Sequence, residues 1–148
     1  MTTMANHAGI LIELGWWDTH LLQCDVTCSN GVFAGSTRVY LGHMNLSEMA
    51  AALNGFPAKA DDVRSFELGT ADPQSAGGGV LLRFYCLDSR GHIAVDVQLR
   101  GDTCTAMGQI ESVAMRIPLE AAAIDSFVEQ LRNFKPQDPV ALHLPMAI

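Results

Sequence analysis

Four cysteines, five histidines, a run of three glycines and a Trp-Trp-Asp segment are the parts of this chain with the chemistry to form a site. Cys24 and Cys28 stand four apart where apolar residues alternate. On a strand they would point to one face but lie about 13 Å apart, at ~3.3 Å per residue. Tetrahedral zinc needs its sulfurs within about 4 Å of one another. Cys24, Cys28 and Cys86 share the phase of their apolar neighbours, so they read as small core residues; a disulfide between adjacent strands stays open. His7, His20, His43, His92 and His143 form no short metal-binding spacing. Gly77-Gly78-Gly79 lacks the Lys-Ser/Thr and the helix that a phosphate loop requires, and reads as a flexible hairpin loop. The sequence therefore implies no metal and no cofactor.

Trp16-Trp17-Asp18 holds both tryptophans of the protein, between two expected strands. Neighbours on an extended segment face opposite sides. Either both rings seal the ends of the core, or one packs inward while the other stays accessible, and Trp is favoured where one rigid side chain anchors a partner. With the scattered carboxylates this nominates Trp17, Asp18, Asp61, Asp62 and Asp96 as partner-binding residues. A second candidate is His92, Asp96 and Arg100, spaced by four on one expected strand face, around which a small-molecule pocket or an enzyme site could form. No catalytic pair is marked by spacing.

Sixteen acidic against nine basic side chains give a net charge of −7 over 148 residues. Phosphate-backbone binding rests on Lys and Arg, so nucleic acid is not an expected partner. The same charge would speed encounter with a basic protein. No stretch approaches the ~20 apolar residues of a membrane span, and Met1–Gly9 has no basic cluster ahead of an apolar run. The expectation is a cytoplasmic protein with reduced thiols.

The elements that must position these residues follow from periodicity. Ile10, Ile12 and Leu14 alternate, then Leu22, Cys24, Val26 and Cys28. Asn30-Gly31 is a hairpin signal for a type I′ turn leading into a strand through Val39 and Leu41. Leu46, Met49, Ala50 and Leu53 form one face of a helix that Asn45 is placed to cap. Strands are expected over Val63–Leu68, Val80–Leu87 and Ile93–Leu99. In a last strand, Cys104–Ile117, the apolar phase changes, which predicts a bulge near Glu111 or Ser112. Pro118 suits the first position of a second helix bearing Ile124, Phe127, Val128, Leu131 and Phe134. The apolar tail 136–148 reads as a docked edge strand or as a segment buried in a second copy of the chain.

Hairpins dominate and no β-helix-β alternation occurs, so the expected fold is α+β. It is a mostly antiparallel sheet of about seven strands with two helices packed against it, in one domain over 1–148 with a flexible N-terminus over 1–8. The Trp-Asp-x-x-Leu-Leu segment Trp17–Leu22 leads into a strand ending at Val26–Ser29. A second strand, the helix Leu46–Leu53, a pair of long strands and a closing helix ending at Phe127–Phe134 follow. This order resembles the small bacterial proteins of the WapI-like immunity type. The resemblance implies an intracellular, non-enzymatic binder, of a type that protects cells against a toxin. With the charge of −7, the expected mechanism is occlusion, an acidic, Trp-containing face covering a basic active site.

Overall fold

The computed structural model describes residues 8–70, 76–102, 111–137 and 140–148. Alternating burial builds its first half. β1 (Gly9–Trp17), β2 (Leu21–Ser29) and β3 (Ala34–Gly42) run as consecutive antiparallel hairpins. Leu22, Cys24, Val26 and Cys28 of β2 and Val39 and Leu41 of β3 point into the core. The chain continues through α1 (Asn45–Leu53), β4 (Val63–Gly69), β5 (Gly79–Cys86), β6 (Ile93–Arg100), β7 (Ser112–Leu119), α2 (Ala121–Arg132) and β8 (Ala141–Pro145). The class is α+β, with eight strands in two four-stranded sheets ordered β3-β2-β1-β8 and β4-β5-β6-β7, every pair antiparallel. A single sheet of about seven strands is thus corrected to two.

The two sheets meet because β3 crosses one end of the second. Along β3, Gly35 lies against Leu99 and Val113, the Thr37 hydroxyl donates to the Arg100 carbonyl at 2.8 Å, and Val39 abuts Gly69. β3 therefore passes from β7 and β6 toward β4, as in sheets packed at a large angle. Ile12, Val26, Phe84, Val95, Ile117 and Phe127 from both sheets and α2 join one buried cluster. Each such side chain contributes about 1.5–3 kcal/mol by leaving water. α1 adds Leu46, Met49, Ala50 and Leu53 to it, and α2 adds Ile124, Val128 and Leu131, with Phe134 partly buried.

Several local expectations are corrected. Asn45 is the first residue of α1, and its Oδ1 accepts the Gly42 N–H at 2.7 Å; Met44 holds the cap position without a side-chain bond. In the β2–β3 turn, Asn30 N–H bonds to Phe33 O, so Gly31 and Val32 are central, one residue later than a type I′ Asn-Gly turn requires. Gly31 supplies the positive φ, +86°. Pro118 belongs to β7, opposite Ala94, and α2 starts three residues later. β7 is an edge strand, where a missing N–H leaves no ladder bond unmade. β7 pairs with β6 without interruption, so no bulge falls inside it, and the expected even-phase residues Ala106 and Ile110 lie outside the described residues. Among the described residues the register shifts in β1, between Leu14 and Trp16. The C-terminal tail is the docked strand β8, paired to Gly9–Glu13 of its own chain.

Candidate functional site

The β1 bulge decides where the tryptophans go. Ile10, Ile12 and Leu14 face inward, and unbroken alternation would send Trp16 inward as well. The register slip pairs Trp16 with Gln23, on the outer face of β2, and Trp17 with Leu22. Trp16 is 48% exposed and Trp17 38%. Neither ring is sealed in the core, and both belong to β1 instead of standing between strands. Across the outer face, Trp16, Gln23 and Tyr40 form one row, with Leu21 exposed beside it. β8 stops at Glu13, so it does not flank this end.

Asp18 closes the β1–β2 turn. Its Oδ1 accepts the backbone N–H of His20 at 2.7 Å and of Leu21 at 2.8 Å. Those two bonds hold the carboxyl below its ordinary range, so it carries its charge beside Trp17. His43 Nε2 donates to the Asp18 carbonyl at 2.7 Å and ties the turn to the segment that enters α1.

Asp61 and Asp62 follow the other end of α1. Asp62 is structural: Oδ2 accepts the Ala58 N–H at 2.8 Å and pairs with Arg64 Nη2 at 2.9 Å. The Arg64 bond is the main reason its carboxyl is held low. Arg64 also donates to the Ala52 and Asn54 carbonyls, closing off the helix end. Asp61 is exposed, 3.8 Å from Lys59. At 1.5 Å per residue, the nine residues of α1 set the Asp18 and Asp62 ends about 14 Å apart.

Asp96 lies elsewhere, on the outer face of the second sheet. The Tyr85 hydroxyl donates to its Oδ1 at 2.7 Å and Arg116 Nε at 3.3 Å. Arg83 and Arg116 both lie over the Tyr85 ring, at 4.8 and 5.5 Å from its centre. A shallow cavity of ≈ 720 Å³ runs beside this cluster. The five nominated partner residues thus fall in three places: Trp17 with Asp18, Asp61 with Asp62, and Asp96 by itself.

His92, Asp96 and Arg100 are not brought together either. His92 precedes β6 and its Nδ1 meets Asp88 Oδ2 at 2.5 Å, the contact that most lowers the Asp88 carboxyl. Arg100 is 9% exposed and donates to the carbonyls of Thr70, Gly77 and Gly101. The glycine run is part of that packing: Gly78 N–H bonds to Arg38 O at 2.7 Å, and a Cβ on Gly78 would stand 2.0 Å from Thr37 Oγ1. Within the expected flexible loop, Gly77 and Gly78 are a close-approach point, and residues 71–75 of that loop lie outside the described residues. Cys24 and Cys28 are buried free thiols, pushed up by desolvation to about 11 and about 12. Among the described residues no group of three or more His, Cys, Asp or Glu could hold a metal ion. No helix there is long and apolar enough to cross a membrane.

No family model, curated protein or solved structure matches the chain.

Sequence reasoning missed Trp16, Tyr85, Arg83 and Arg116. Trp16 carried a signal: Gly15 interrupts the alternation immediately before it. The other three sit on strands whose neighbours are fixed only by the fold.

Proposed function

We propose that this chain is a non-enzymatic protein-binding protein that docks a basic partner on the Trp16–Trp17 end of β1. The observation that carries this is the bulge, which turns a tryptophan of core phase outward onto a paired strand. A large ring held on a hydrogen-bonded strand loses little freedom on binding, which is what makes Trp an effective anchor. Asp18 beside it is held ionised, and the molecule as a whole carries −7. That charge favours a basic partner and speeds encounter with it.

The resemblance of Trp17–Leu22 and of the element order to WapI-like immunity proteins supports the same reading. In that reading the partner is a toxin domain, the mechanism is occlusion of its basic site, and the compartment is the cytoplasm. Asp61 and Asp96 lie away from this end and would act only through the general field.

Affinity capture from a lysate of the source organism tests the proposal. Wild-type protein should retain a basic polypeptide that high salt releases and that a Trp16→Ala, Trp17→Ala double variant does not retain. Retention of the same polypeptide by the double variant, or no retained protein, contradicts it. Retention of a second copy of this chain would assign the surface to self-association instead.

A further inference from the structure

We infer that the outer face of the second sheet binds a small amphipathic monocarboxylate, lying across the strands. The cross-strand register sets Ser65, Arg83, Asp96 and Arg116 in one row and Leu81, Gln98 and Ala114 in the next. The cavity of ≈ 720 Å³ runs between these rows, within the 300–1,000 Å³ of ordinary ligand sites. It spans four strands, about 14 Å at ~4.8 Å per strand. That is the length of a short acyl or arylalkyl chain.

The two rows differ in kind. Leu81, 39% exposed on a sheet face, and Ala114 offer apolar surface to a ligand body. The opposite row carries two guanidinium groups and one carboxylate. Asp96 is already engaged by Tyr85 and Arg116. Arg83 has no ion pair among the described residues, and its guanidinium rests on the Tyr85 ring. The lining is therefore left at +1, in a molecule of −7. Glu67 stands at the β4 end of the apolar row but does not line the cavity.

One carboxylate balances that charge and can take the paired N–H groups of Arg83. A phosphate would place about two negative charges beside Asp96, and like charges so close are repelled. An ammonium ligand would enter a lining of net positive charge. Planar Arg on an aromatic ring is held in one orientation, so little freedom is lost when a carboxylate arrives. The site is independent of the Trp16 surface, because the two lie on different sheets.

Octanoate is the probe, with octanol and octylamine as its uncharged and cationic counterparts. Titrated into isotopically labelled protein, octanoate should shift the amides of Leu81, Gln98 and Ala114 saturably. Octanol and octylamine should bind at least about tenfold more weakly, the factor that ~1.4 kcal/mol represents. Arg83→Gln should weaken octanoate by a similar factor while leaving octanol unchanged. Leu81→Ser should weaken both. Absence of saturable shifts overturns the inference. So does equal binding of octanol, unaltered octanoate binding in Arg83→Gln, or shifts that gather at Trp16 and Trp17.

Discussion

The side-chain amide of Gln130 in α2 pairs with both backbone groups of His143 in β8. Its Oε1 accepts the His143 N–H at 2.8 Å and its Nε2 donates to the His143 carbonyl at 3.0 Å. β8 is an edge of the first sheet, and this one residue stands where a further strand would pair. Other edges are blunted in the same spirit. On β7, Arg116 O takes a bond from Asn30 Nδ2 and Pro118 O one from Ala147 N–H. On β3, Arg38 O takes one from Gly78 N–H.

Gln130→Ala should therefore cost about 1–3 kcal/mol, because it strips partners from two backbone groups at once. Urea unfolding measures the loss. Amide exchange at His143 should rise more than exchange at Val26, in the middle of the sheet.

Gly78→Ala should be far more damaging than Gly55→Ala. A Cβ at Gly78 meets Thr37 Oγ1 at 2.0 Å and the Arg100 carbonyl at 2.6 Å, both where β3 crosses the second sheet. At Gly55, φ is +76° and no atom lies within 4 Å, so only backbone strain of about 1–2 kcal/mol applies. Thermal melts should place Gly78→Ala at least ~3 kcal/mol below wild type, at the upper end of overpacking costs. Comparable melts for the two variants would contradict the crossing.

Most elements were legible because burial on one face leaves a period in the sequence. β2, β6 and the stripe of α1 follow directly from it. The errors share a different cause. Pro118 suits a helix start by local chemistry, yet it sits on a strand whose outer edge needs no N–H there. Asn45 is a good cap by type, but its side chain turns back to Gly42. Periodicity states which face is buried and not which strands share a ladder, so one sheet could not be told from two. The Asp96 cluster was illegible for that reason: Tyr85, Asp96 and Arg116 come from three strands and meet only through register. The Trp end was half legible, since a bulge is a one-residue event that alternation shows only as an interruption.

Acid should destabilise the protein through Asp18, Asp62 and Asp88. Their carboxyls are held low by backbone N–H groups, by Arg64 and by His92 respectively. A depressed carboxyl stabilises the fold above its unfolded value of about 3.8 and loses that contribution as pH falls through the folded value. Stability measured by urea should therefore drop below pH ~4. Replacing all three by Asn should flatten that drop while lowering stability at neutral pH.

The buried thiols act in the opposite direction. Cys24 and Cys28 ionise at about 11 and about 12 in the folded chain, raised from 9.0 by burial. Their contribution is complete below pH 9 and is lost as pH climbs through the folded values. At neutral pH a thiol reagent should leave both unlabelled until the protein unfolds. Rapid labelling of Cys24 or Cys28 in the native state would contradict their burial.

Anchoring of a basic protein by the outward Trp16 and the adjoining Trp17 is the step on which the proposed function turns. Its most direct measurement is the dissociation constant of the captured partner for wild-type protein and for the Trp16→Ala, Trp17→Ala variant, with both shown to unfold at the same urea concentration. Loss of a tryptophan anchor costs about 2 kcal/mol or more, so affinity should fall by at least about thirtyfold. Equal dissociation constants for the two proteins would rule out that anchoring.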